Sequence, residues 1–324
     1  MGVAHKLHAS RYSKKTTDLL HRKAYNACKF FILNSLLFML SYRHAFHAGN
    51  HADVLKHFVL MQVLAHTTQK DKPFWYIDTH AGAGRYSLET GYATQNAEYE
   101  TGIAKLWNAE DLSPSLKNYV GFIKSLNHPS SPKTAKLKIY PGSPICAQAL
   151  MRAEDRMRLF ELHPSDFDIL LENFKGNHRT VKIDMSNGFA GIKAILPPPT
   201  RRAVVLIDPP YEEKQDYQRV VEMLKDSLQR FATGTYIIWY PLLQRPEPMM
   251  MLNQLKQLNL KNWLNVSLNV ESPSLEGFGM YGSGLFIVNP PWTLPETLAE
   301  VMPYLVDKLG EDASASFELD SHIS

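Results

Sequence analysis

Seven short runs along the chain are apolar, rich in β-branched or aromatic residues, and closed by turn signals, a pattern that predicts buried strands. They are Phe74–Ile77, Met157–Leu162, Thr180–Ile183, Ala203–Ile207, Thr235–Tyr240, Leu264–Val270 and Gly284–Val288. Stretches with helical spacing lie between them, as in Tyr217–Phe231 and Pro248–Leu258. Strands alternating with helices predict βαβ units around a mostly parallel sheet. The short Gly-rich link Glu271–Ser283 predicts that the last two strands form an antiparallel hairpin at one edge. Residues from about 87 to 135 are too many for a single crossover helix, and Ala97–Trp107 and Ser113–Leu126 within them read as helices. This stretch is expected to be a small helical insertion on the carboxyl edge of the sheet.

A chain of 324 residues with 44% hydrophobic content has ample material for a core. Cys28 and Cys146 lie far apart in the sequence, which excludes a disulfide framework and points to a reducing, cytoplasmic compartment. The net charge of +3 is uneven: seven Lys/Arg and one acid precede Met39, so that segment carries +6 and the remaining 286 residues about −3. The body is therefore not a generally basic nucleic-acid binder, and any polyanion contact must come from a local patch. Basic residues followed by the apolar run Phe30–Leu40 have the outline of a signal peptide, but no small-residue cleavage site follows. No apolar stretch approaches the length needed to span a bilayer. The expected organisation is an upstream, poorly packed extension over 1–38 and one catalytic domain over 39–324, with Met39 as the start.

Chemistry enters at the strand ends. The run Phe74–Asp78 leads into Thr79-His80-Ala81-Gly82-Ala83-Gly84, a glycine loop of the kind that lies at the ligand crevice of an open α/β sheet. Its third fingerprint glycine is replaced by Ser87. The next strand ends at Glu161, a carboxylate suited to gripping a ribose diol. The third ends near Asp184, with Asn187-Gly188 just after, and either acid or amide can pair with an adenine edge. The fourth ends at Asp208. Singly each group is a common helix cap; four in succession describe a site for an adenosine-bearing cofactor.

Asp208 opens Asp208-Pro209-Pro210-Tyr211. Two prolines remove two backbone donors and force an extended turn. The Asp208 carboxylate and the Pro209 carbonyl are left as acceptors for the two hydrogens of an exocyclic amino group, which frees its lone pair for attack on a sulfonium methyl. Tyr211 is expected to supply a flat face for a base taken out of its stack. The near duplicate Asn289-Pro290-Pro291-Trp292 follows the final predicted strand and is assigned a structural role.

The run from Tyr42 to His57 holds four histidines. Asn50 with Asp53 three residues later predicts a capped helix starting near His51. The spacing lacks a cysteine or a Glu-x-x-His pattern, so no metal is expected. The preferred reading is a clasp beside the glycine loop, with Lys56 or His57 near the cofactor and Tyr42, Arg43 and His44 near the nucleic acid.

The stretches MLSYRHAFHAGNHADVLKH, YIDTHAGAGRY, YPGSP, ELHPSD, LIDPPYE, FATGTY and WYP together resemble the bacterial large-subunit rRNA adenine-N6 methyltransferases of the RlmJ type, from Met39 to about Trp292. The resemblance implies a Rossmann-like class I S-adenosylmethionine-dependent methyltransferase fold, with a seven-stranded, mostly parallel sheet and a helical subdomain. It implies methyl transfer to N6 of one adenine in protein-free 23S rRNA. By position it implies cofactor contacts from His57, His80, Ser143, Glu161 and Asn187-Gly188. It also places Asp208 at both the cofactor and the target amine, and Tyr42 at the RNA. Where the family has Asp-Gly this chain has Asn187-Gly188, so either Asn187 or Asp184 takes the adenine-edge role. A monomer is expected, with no metal and no membrane partner. The competing readings are a DNA adenine-N6 methyltransferase and a nucleic-acid-binding protein involved in the use of external DNA.

Overall fold

The structure is a computed structural model and describes residues 44–89, 96–128, 130–131, 135–277 and 279–323. The expectation for residues 1–38, and the substrate-side positions Tyr42 and Arg43, lie outside these residues. The chain from His44 onward forms one compact unit.

Five strands form the parallel part of the main sheet: β1 (Trp75–Asp78), β4 (Arg156–Phe160), β5 (Val181–Asp184), β6 (Ala203–Ile207) and β7 (Thr235–Leu243). Three more extend it antiparallel to their neighbours: β8 (Trp263–Asn269), β9 (Met280–Val288) and β10 (Ser316–His322). The order across the sheet is β10-β8-β9-β7-β6-β1-β4-β5. All seven predicted strands are present, and among the described residues the sheet has eight. The missed strand, β10, is a polar edge strand whose residues alternate between half-buried and exposed or are exposed outright, so it carries no apolar run to read. Because β10 pairs with β8, the β8–β9 hairpin does not close the sheet as expected. A separate antiparallel ribbon of β2 (Arg85–Ser87) and β3 (Ile139–Pro141) also went unread.

Strand β6 explains why its five residues form a continuous apolar run. Val204 and Leu206 pack into the core on one face of the sheet, and Val205 and Ile207 into the core on the other. Successive side chains of a strand point to opposite faces, so a central strand covered on both faces has no polar positions. The first core contains α1 (His51–Thr67) and α9 (Leu294–Leu309). The second contains α7 (Gln215–Arg230) and α8 (Pro246–Lys256). Helices α2 (Ile103–Trp107) and α3 (Pro114–Asn127) lie within the 87–135 stretch and add Leu106, Leu116, Tyr119 and Ile123 to the first core. Helix α1 begins as its spacing predicts: Asn50 Oδ1 accepts from the Asp53 N–H at 3.0 Å, and the Asp53 carboxylate accepts from the Gly49 N–H. Helices α4 (Ser143–Gln148), α5 (Pro164–Asn173) and α6 (Gly188–Ile195) complete the set used below.

Candidate active site

Strand β1 sits between β4 and β6, so the chain runs outward from it on one side and returns on the other. Such a reversal opens a crevice at the carboxyl ends of the strands. Asp208, Asp78, Glu161 and Asp184 stand at these ends in the order of β6, β1, β4 and β5. Pairing of Asp78 with Leu206 and Leu159, and of Phe160 with Asp184, keeps the row level.

Asp78 is fully buried and saturated: its carboxylate accepts from the Tyr76 hydroxyl and the Ser143 hydroxyl, each at 2.7 Å, and from the His80 N–H. Burial pushes its pKa up to about 6 against the pull of these donors. Glu161 accepts from Gly82 N at 2.7 Å and from His163 N at 2.7 Å, and burial raises its pKa to about 7. The glycine loop is therefore tied to the carboxylate by its own backbone. Gly82 and Gly84 both lie in the left-handed region, and a Cβ on Gly82 would stand 2.3 Å from the Tyr86 hydroxyl. Gly188 meets a different demand, since a Cβ there would fall 2.0 Å from the carbonyl oxygen of Thr79. His80 lies edge-on to Phe189, and burial holds its imidazole near pKa 4, in the neutral form at physiological pH.

Beside this row, Lys56 of α1 places its ammonium 2.6 Å from Asp208 Oδ2 and 2.9 Å from Asp53 Oδ1. His44 Nε2 donates to the other Asp53 oxygen at 2.9 Å. Burial works to raise the Asp53 pKa, but the His44 and Lys56 charges hold it well below the usual carboxylate range. His47 reaches Glu98 instead. Burial pushes His51 down to about pKa 4, so it stays neutral at physiological pH. Among the described residues no cluster of three or more His, Cys, Asp or Glu could hold a metal ion.

The model of the family described as ribosomal RNA large subunit methyltransferase D, RlmJ, matches residues 71–320. The chain belongs to the RlmJ family. A relative from Haemophilus influenzae named ribosomal RNA large subunit methyltransferase J is 44% identical, over 87% of this chain and 98% of its own. One of the same name from Escherichia coli is also 44% identical, over 84% of this chain and 94% of its own. A crystal structure of a Legionella pneumophila protein, 35% identical, matches with a TM-score of 0.76 over 85% of this chain and 98% of its own.

Within this RlmJ-family chain the structure brings Asp208, Asp78, Ser143, Glu161, Gly82 and Lys56 to one crevice. Three residues sit otherwise than the sequence suggested. The His57 ring is fully buried: its Nδ1 pairs with the Tyr140 hydroxyl, which continues to Tyr119 of α3, and its Nε2 lies 3.9 Å from Asp53 Oδ1. Asn187 spends its side-chain oxygen capping α6 on the N–H groups of Phe189 and Ala190, while Asp184 pairs with Arg158. Tyr211 is only 1% exposed: its hydroxyl donates to the Trp239 carbonyl and its ring packs on Tyr217, at left-handed φ. The flat face assigned to it is thus covered. The Trp239 ring is half-buried, with the Lys56 ammonium 5.7 Å from its centroid. Sequence reading passed over Trp239 and Tyr76, and took Asp53 only as a cap. The three-residue spacing of Asp53 and Lys56 on one helix face was the available signal.

Asn289 occupies the opposite edge of the sheet. Strand β9 runs antiparallel to β7, so Val288 pairs with Tyr236 at the amino end of β7, whereas Ile207, just before Asp208, pairs with Ile238. The Asn289 amide donates to the carbonyls of Ala232 and Gly234, and its backbone is left-handed at φ 52°. Asn289→Ala is expected to keep wild-type kcat while losing about 2–4 kcal/mol of stability in a denaturant titration, from two lost hydrogen bonds and an alanine forced to positive φ.

Proposed function

We propose that this protein methylates N6 of an adenine in 23S rRNA, using S-adenosylmethionine, and that its substrate is the protein-free RNA. The observation that carries the reading is Asp208-Pro209-Pro210 at the carboxyl end of β6, next to a row of carboxylates, in a chain of the RlmJ family. The residues fit the cofactor. Each Glu161 oxygen accepts one backbone N–H and keeps a second lone pair for a ribose hydroxyl. The half-buried acceptors Glu161 and Asp208 suit a ligand that brings positive charge and hydroxyl donors.

When bound, the cofactor supplies an electrophilic methyl on a sulfonium. Asp208 and the Pro209 carbonyl accept the two amino hydrogens of the target base and free its lone pair. Lys56 orients the Asp208 carboxylate through its Oδ2. Asp208 then takes the proton that methylation makes acidic. Trp239 offers a ring for the displaced base to stack on.

The test is transfer of labelled methyl to naked 23S rRNA and to DNA, side by side. Label is expected in N6-methyladenine of the RNA. Label in DNA alone would make this a DNA methyltransferase, and label in neither would overturn the reading.

A further inference from the structure

We propose that Asp53 is a positioning residue of this site: its buried carboxylate holds Lys56 against Asp208 and anchors His44 beside it. The proposal rests on Asp208 being the acceptor of the target amine. Asp53 is 1% exposed. One of its oxygens takes the Lys56 ammonium at 2.9 Å; the other takes His44 Nε2 at 2.9 Å and Gly49 N at 3.0 Å.

A capping role alone does not account for this. In the reciprocal cap at a helix start the third residue takes the N–H of the cap residue, here Asn50; Asp53 takes instead the N–H of Gly49, one residue earlier. The other two donors come from side chains of the catalytic face. Lys56 and Asp208 are 152 positions apart, and their 2.6 Å contact fixes the orientation of Asp208 only if Lys56 is itself fixed. A free lysine side chain has about 2 kcal/mol of rotamer entropy, so a single carboxylate at a partly open site holds it loosely. A second carboxylate three residues earlier on the same helix face confines it. The same carboxylate ties in His44, expected on the substrate side. It thereby joins the helix start, the ammonium that orients Asp208, and a residue next to the base.

The experiment is a double-mutant cycle of Asp53→Asn and Lys56→Met, read by kcat for naked 23S rRNA, by cofactor affinity in calorimetry, and by thermal unfolding. Asp53→Asn is expected to lower kcat on the order of 10²-fold, the usual consequence of misplacing a catalytic group by about 1 Å, with cofactor affinity unchanged. In the Lys56→Met background the same change is expected to cost much less, because the part of its effect that runs through Lys56 is already lost and only the anchoring of His44 remains. Wild-type kcat in a folded Asp53→Asn protein, or an undiminished further loss in the Lys56→Met background, overturns the proposal. If Asp53→Asn does not fold, Asp53→Glu decides, since glutamate preserves the cap but moves the carboxylate out by a methylene. Reduced kcat at unchanged Tm then supports the proposal, and wild-type kcat defeats it. Failure of the functional reading has a separate signature, a wild-type protein that transfers no methyl to RNA.

Discussion

Asp208→Ala is expected to abolish methyl transfer, by roughly 10³-fold or more in kcat, the scale lost when a single preorganised electrostatic contact to a transition state is removed. Asp208 supplies one of the two acceptors and the Pro209 carbonyl the other, so without the carboxylate one amino hydrogen of the target base loses its protein acceptor. Solvent is a poor substitute, because water does not hold the amino hydrogens in the geometry that frees the lone pair. The fold should survive. The Asp208 side chain is 13% exposed, and Lys56, its partner, retains the Asp53 carboxylate and is not left as an unpaired buried charge. Cofactor binding should weaken only partly, since Asp78, Ser143, Glu161 and the glycine loop remain in place. Single-turnover transfer assays with parallel calorimetry separate the two effects. Loss of binding as large as the loss of turnover would make Asp208 a cofactor ligand first and an acceptor second.

Cofactor affinity is expected to rise about tenfold between pH 6 and pH 8, with protons released on binding. Glu161 carries the effect. Burial raises its pKa to about 7, so it is largely protonated at pH 6 and largely ionised at pH 8. A ribose diol needs the ionised, acceptor-only form. The linkage sign is consistent: a raised carboxylate pKa favours the free fold at low pH, and that contribution is lost as pH rises through about 7. Ligand hydroxyls that bond the charged form reverse the penalty, so binding and ionisation reinforce each other. Glu161→Gln should bind at least about 100-fold more weakly, as expected when a buried polar contact is left unmatched. It should also lose most of the pH slope. Calorimetry in buffers of different ionisation enthalpy counts the protons. A slope that persists in Glu161→Gln would assign the titration to another group.

The legibility of this chain follows the range of each interaction. Strands β1 and β6 could be read because burial on both faces leaves continuous apolar runs, and α1 because its cap closes within four residues. Strand β10 was silent, since an edge strand facing solvent needs no apolar residues. The row of Asp78, Glu161, Asp184 and Asp208 was visible because parallel βαβ units place every strand's carboxyl end on one side. That rule also separates Asp208 from Asn289, but the reversal of β9 that enforces the separation is a fact of pairing. Tyr211 shows the limit from the other side. Its place in the motif suggested an open ring, and the packing of Tyr217 and Trp239 buries it.

By itself, then, the sequence determined the alternation of seven sheet strands with helices, the row of acceptors, and the proline turn that removes two backbone N–H groups just after Asp208. These depend on patterns a few residues long. Only the tertiary structure decided that Lys56 belongs to Asp208, that Asp53 holds Lys56, that His57 turns toward Tyr140, and that the Tyr211 ring is covered. The reason is physical. A contact across 152 residues is made by the packing of α1 against the sheet, and neither partner carries a mark of it in its own neighbourhood of the chain.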